Sequence, residues 1–85
     1  MSDQPLHILG IRVSERTKAA GKVQETLTRY GCCIKTRLGL HEATNDICSP
    51  NGLIILEMVG DVTDIQKLEK ELTGMEGVTV RKMVF

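Results

Sequence analysis

Aromatic side chains are almost missing from this 85-residue sequence: Tyr30 and Phe85 stand alone, and there is no tryptophan. The core must therefore be aliphatic. RNA readers that stack bases on aromatics of a central strand have no counterpart here, because those positions hold Leu, Ile and Met. Charge of one sign is also missing. Eleven basic residues balance eleven acidic ones, so no overall field draws the chain to DNA, RNA or an anionic membrane. No apolar run reaches the ~18–20 residues of a membrane span. Met1 to Pro5 hold no basic stretch leading into a long apolar one, so no signal peptide is expected and the cytoplasm is the expected address. Cysteine is sparse and odd in number, Cys32, Cys33 and Cys48, which argues for reduced thiols over a disulfide framework. There is no phosphate loop, no dinucleotide glycine pattern, no CxxC pair and no metalloprotease motif. Two histidines leave little from which to build a catalytic triad. A binding role is expected, not an enzyme.

What is present is an ordinary globular composition, 41% hydrophobic and 26% charged, enough for one core and one domain over residues 1–85. Leu6 to Val13 alternates with both sets apolar, Leu9, Ile11 and Val13 against Leu6 and Ile8, as in a central strand covered twice. His7 shares the parity of Leu9 and reads as a partly buried, hydrogen-bonded histidine. Ser14 offers a helix cap and Glu15 a favourable charge at a helix start. Ala20, Val23, Leu27 and Tyr30 then form a helical stripe, which Gly31 ends in a left-handed conformation. Cys32 to His41 alternates again, Ile34, Thr36, Leu38 and Leu40 on one face and Lys35, Arg37, Gly39 and His41 on the other, as in a half-polar edge strand. The segment 41–52 has loop composition. Leu53 to Val59 reads as a buried strand. Asp61 is a second cap, and Ile65, Leu68, Leu72 and Met75 form a second stripe closed by Gly74. Lys67 and Glu71 are spaced to pair on its outer side. Val78 to Phe85 is a last strand.

The order is βαββαβ, an α+β ferredoxin-like unit with a four-stranded antiparallel sheet and both helices on one face. Leu6, Ile8 and one set of Leu53–Val59 then lie on the uncovered face, and soluble monomers rarely leave such a patch open. A homodimer or homotetramer, joined through the sheet face or edge, is the expectation.

The runs ILGIRVSERTKAAGKVQETLTRYG, IKTRLGLH, GLIILEMVGD and GVTVRKM resemble the iron-only hydrogenase system regulators, within the ACT-like and nickel-regulator C-terminal-like group. The resemblance spans Leu6 to Phe85. It implies a βαββαβ fold, an oligomer and a regulatory role, by the family's label that of an iron-only hydrogenase system. ACT domains that bind amino acids use a glycine between the first strand and first helix, where this sequence has VSERTK. Nickel regulators add a ribbon-helix-helix DNA-binding segment, for which five residues before the first strand leave no room, so a transcriptional role would act through a partner.

Two sets of residues are candidates for binding. Arg12, Lys35, Arg37 and Arg81 are expected to share the face away from the helices, where they could hold an anionic small-molecule effector; the plain alternative is a set of solvated charges that fix the register of a dimer. His41, Glu42, Asp46 and Cys48 crowd the loop after the second strand, and imidazole, carboxylate and thiolate are the groups that bind Ni²⁺, Zn²⁺ or Fe²⁺. In the related nickel regulators, histidines followed by a cysteine come from this region. His41 and Cys48 match that arrangement, while the position of the second histidine falls near Gly39. The plain alternative is a polar loop with Cys48 packed as a small hydrophobe. Three functions follow: a ligand-sensing oligomer, a protein-interaction module without small ligand, and a metal sensor using His41 and Cys48.

Overall fold

The computed structural model describes residues 5–14, 19–41 and 52–85. In chain order these form β1 (His7–Val13), α1 (Ala19–Arg29), a single 3-10 turn (Gly31–Cys33), β2 (Ile34–His41), β3 (Gly52–Met58), α2 (Val62–Thr73) and β4 (Val78–Val84). The sheet order is β2-β3-β1-β4, and every neighbouring pair is antiparallel. The fold is ferredoxin-like, as the alternating strands and two helical stripes require.

One face of the sheet carries the core. His7, Leu9, Ile11 and Val13 of β1 and Ile54, Leu56 and Met58 of β3 are buried there against Val23 and Leu27 of α1 and Ile65, Leu68 and Leu72 of α2. Leu9, Ile11, Leu56, Leu68 and Leu72 have no exposure at all, and each such side chain stabilises the fold by roughly 1.5–3 kcal/mol. The aliphatic core expected from the lack of aromatics is what the packing shows.

The cap of α2 is as expected: Asp61 accepts the amide of Thr63 through Oδ1 at 2.9 Å, satisfying one of the orphan donors of the first turn. The start of α1 is different. Glu15 and the residues that Ser14 would cap lie outside the described residues, while the Ser14 amide donates to the Gly77 carbonyl at 2.9 Å and ties the end of β1 to the turn before β4. Gly31 is not left-handed. The glycines with positive φ among the described residues are Gly60 (93°) and Gly77 (79°), one in each turn flanking α2, where side-chain-bearing residues would be strained. Gly31 instead opens the 3-10 turn, so Cys32 and Cys33 are not in the strand and do not alternate across it. Both are free thiols, Cys32 exposed and Cys33 buried.

The second correction is in β2. The register pairs Ile34 with Met58 but Thr36 with Glu57, so Lys35 is an extra residue, a β-bulge. A one-residue insertion reverses the facing of everything on one side of it. Ile34 therefore joins the helix side with Met58, whereas Thr36 and Leu38 lie on the opposite side with Glu57 and Ile55. The expected grouping of Ile34 with Leu38 does not hold.

Candidate functional site

At the end of the sheet where β1 begins and β3 leaves for α2, the elements do not close over one another. A cavity of about 200 Å³ remains, lined by His7, Lys35, Glu57, Met58, Gly60 and Val62, with Pro5, Leu6, Val59 and Ile65 around it. Three local causes open it. The bulge swings Lys35 out of register. Gly60, with φ of 93°, turns the chain sharply into α2 and presents no side chain. His7 occupies the first position of β1, opposite Met58 and Val84.

The polar groups of this cavity are unequal. His7 is 8% exposed, yet no hydrogen bond to it is formed among the described residues. Every fully sealed side-chain nitrogen or oxygen there has a partner, so the imidazole nitrogens are open to the space that His7 lines. The partly buried, hydrogen-bonded histidine expected from the sequence is buried but lacks the bond. Glu57 is better held. Thr36 Oγ1 donates to its Oε1 at 2.9 Å, and Lys35 Nζ stands 3.9 Å from its Oε2. The cavity thus offers a cation, a carboxylate and an unsatisfied imidazole among apolar walls, the mixture by which small ligands are oriented.

The four basic residues singled out in the sequence are not brought together. Arg12 and Arg81 do lie on the sheet face away from the helices, Arg81 opposite Gly10 and Arg12 one alternation further on. Lys35 is at the cavity, beside Glu57. Arg37 is on the helix side: paired with Leu56 in the ladder, it donates through Nη2 to Gln24 Oε1 of α1. The bulge is the reason. It moves Arg37 to the covered face and with it removes one member of the expected cluster.

Of the metal candidates, His41 ends β2 opposite Gly52, and Glu42, Asp46 and Cys48 lie outside the described residues. Among the described residues no group of three or more His, Cys, Asp or Glu could hold a metal ion. Nor is any described helix long and apolar enough to cross a membrane.

A polar network on the helix side was not foreseen. Tyr30 donates its hydroxyl to Glu71 Oε2, and Arg29 Nη2 reaches Glu71 Oε1 at 3.0 Å. The bond to Glu71, then burial, push the Tyr30 phenol up from its usual value. Tyr30 first and Arg29 second hold the Glu71 carboxyl below the usual carboxylate range. Glu71 thus joins α2 to the end of α1 instead of pairing with Lys67 along its own helix. The sequence signal was there, since Tyr30 continues the buried stripe of α1 and a half-buried phenol needs an acceptor.

The uncovered sheet face carries Ile8, Gly10 and Arg12 of β1, Thr36 and Leu38 of β2, Leu53, Ile55 and Glu57 of β3, and Thr79, Arg81 and Met83 of β4. Leu6 and Phe85 extend it, joined by the Phe85 amide donating to the Leu6 carbonyl at 2.9 Å. Leu38 is 52%, Met83 57% and Phe85 72% exposed, a large apolar surface for a chain of this size.

No protein-family model matches the chain, and no curated protein is similar to it in sequence. Solved structures are similar over its length. The uncharacterized protein TM1266 from Thermotoga maritima is 26% identical, with 96% of this chain and 99% of that one covered and a TM-score of 0.80. CPII from Thiomonas intermedia K12, a nitrogen regulatory PII-like protein bound to ADP, AMP and bicarbonate, is 16% identical over 95% of this chain and 94% of its own, at a TM-score of 0.58. A formyltetrahydrofolate deformylase from Pseudomonas putida KT2440 is 13% identical, at a TM-score of 0.53, over 92% of this chain but 28% of its own length. These likenesses establish the fold, which occurs both as a small protein and as a part of a longer one.

Proposed function

We propose that this chain is a regulatory module, not an enzyme, which binds a small-molecule effector as an oligomer and serves, as its resemblance suggests, an iron-only hydrogenase system. The observation that carries the reading is the cavity at the start of β1, where His7 is buried without a partner and Lys35 and Glu57 stand at the same opening. An imidazole whose nitrogens open into a small space beside a cation and a carboxylate is placed to bind a small polar molecule. At about 200 Å³ the space is below the roughly 300–1,000 Å³ of drug-sized sites, so the effector is smaller than a nucleotide. CPII, of the same fold, was bound to bicarbonate among other ligands, which supports a small polar effector.

The test is thermal stability against bicarbonate, acetate, phosphate, single amino acids, AMP and ADP at millimolar concentration. At least one small polar compound should raise Tm by several degrees in the wild type and not in His7→Leu. No shift for any of them, with the cavity variants indistinguishable from wild type, would defeat the reading. The exposed apolar sheet face favours a second function, a protein-interaction module without small ligand. Native mass spectrometry separates the two, since only the first predicts retained non-protein mass. Loss of any retained metal in His41→Ala with Cys48→Ala would instead point to a metal sensor.

A further inference from the structure

The uncovered face of the sheet has a charge pattern that selects its own partner. Laid out by register, successive rows read Leu53–Arg12–Thr79 on β3-β1-β4, then Leu38–Ile55–Gly10–Arg81 and Thr36–Glu57–Ile8–Met83 in the full strand order β2-β3-β1-β4. Leu6 and Phe85 follow below β1 and β4. The face is a checkerboard. One corner is apolar on β2 and β3, the opposite corner is apolar on β1 and β4, and the other two hold the arginines and Glu57.

From this pattern we infer that the face binds a second copy of the chain about a two-fold axis running diagonally across the sheet, through Ile55 and Ile8 to Phe85. This rests on the oligomeric reading proposed above and specifies its interface. The other axes fail on charge. A two-fold along the strands lays the arginines on the leucines of β2 and β3. One perpendicular to the strands lays Glu57 on Leu53 and Ile55. The second diagonal sets arginines against arginines and Glu57 against Glu57, and like charges facing each other in an interface cost several kcal/mol. Only the chosen diagonal sets apolar residues against their own copies and Glu57 against the arginine corner. Neighbouring strands lie about 4.8 Å apart and successive residues on one face about 6.6 Å, twice the rise per residue, so the four-by-four patch is about 14 by 20 Å and its diagonal runs well off the strand direction. Strands of the two copies then cross steeply, as in orthogonal sheet packing.

Reflection in this axis places Glu57 of one copy over Gly10 of the other. Gly10 has no side chain, and an added Cβ would meet only the Arg81 carbonyl at 3.8 Å and Ile55 at 3.9 Å, so the carboxylate has room. Arg81 lies directly beside Gly10 in the ladder and Arg12 one alternation along, so the carboxylate arrives between two guanidiniums. Arg12 forms no ion pair among the described residues, and Arg81 Nη1 bonds only its neighbouring Val80 carbonyl, at 2.9 Å. Lys35, Glu57's own partner at 3.9 Å, is 64% exposed, a weak attachment that leaves the carboxylate free for a second pair.

The test is sedimentation equilibrium on three proteins: wild type, Glu57→Arg, and Arg12→Glu with Arg81→Glu. The wild type should be dimeric at micromolar concentration and each charge variant at least about a hundredfold weaker, because each opposes like charges twice. Mixing the two variants should restore a mixed dimer near wild-type strength, since both contacts are then of opposite sign. As a readout independent of charge, Ile55→Cys in a Cys32→Ser, Cys48→Ser background should be joined to its own copy by a short bismaleimide, because packed sheets stand about 10 Å apart, beyond the reach of a direct disulfide. Circular dichroism checks that each variant is folded. A wild type monomeric at high micromolar concentration would defeat the oligomeric reading itself. A wild-type dimer whose charge variants still dimerise, or whose Ile55→Cys form does not cross-link, would overturn this arrangement alone.

Discussion

Glu71 shows how one side chain can set the pH response of a small fold. Its carboxyl titrates below the usual range because Tyr30 and Arg29 donate to it. A lowered folded-state value means that the stability Glu71 contributes is present above its unfolded value of about 4.3 and is lost as pH falls through the lower folded one. Tyr30, raised chiefly by the same bond, contributes stability below its unfolded value of about 10 that is lost as pH rises through the folded one. Urea midpoints across pH should therefore drop at both ends. Tyr30→Phe should lower the plateau and remove the alkaline limb, and Glu71→Gln should flatten the acid limb. An unchanged acid limb in Glu71→Gln would show that other carboxylates control it. The thiols give a second prediction at this scale. Burial first, and then Asp64, push the Cys33 thiol up, while its neighbour Cys32 is exposed. Since the thiolate is the reactive form, iodoacetamide at neutral pH should label Cys32 at least about tenfold faster than Cys33, as read by tandem mass spectrometry of the shared peptide. Equal rates would mean that the turn opens freely.

Among the elements, the helices and central strands follow from periodicity alone, and β2 shows why an edge does not. Leu9, Ile11, Val23, Leu27, Ile65, Leu68 and Leu72 each have a spacing that fits one face, and each is in the core. The alternation from Cys32 to His41 is equally regular, but a bulge adds a residue without changing the sequence pattern. No local signal marks Lys35 as the extra one, because what decides it is the packing of Ile34 beside Met58. The same shift explains why the candidate cluster was only partly legible: Arg12 and Arg81 belong to strands whose register is regular, whereas Arg37 lies beyond the bulge. The cavity was not legible, because it is made by a turn, a bulge and a strand end that only the fold brings together. Asp61, by contrast, is a purely local device. Asp61→Ala should cost about 1 kcal/mol by removing the acceptor of the Thr63 amide, and Asp61→Asn much less. Urea denaturation measures both. A loss in Asp61→Ala near zero would mean that water replaces the cap.

For the molecule as a whole, the deciding quantity is covered surface. A chain of 85 residues buries only roughly 60–65% of its unfolded surface, which leaves it marginal as a monomer. Here the helices cover one side of the sheet, and Leu38, Leu53, Met83 and Phe85 remain 39–72% exposed on the other. Pairing of two such faces would add apolar burial at roughly 25 cal/mol per Å², an amount comparable to the whole stability of a small domain. Stability would then depend on mass action, since only the folded state can form the interface. Tm should accordingly rise with protein concentration by several degrees between about 2 and 200 µM, a slope that a monomeric fold cannot produce. The same series in Glu57→Arg should be flat, and its Tm should coincide with that of the wild type at high dilution, because Glu57 contributes to the monomer only through the exposed Thr36 bond and a long contact to Lys35. A steep slope retained in Glu57→Arg would place the association elsewhere on the surface, and an absent slope in the wild type would mean that the single layer of helices is all the covering this sheet needs.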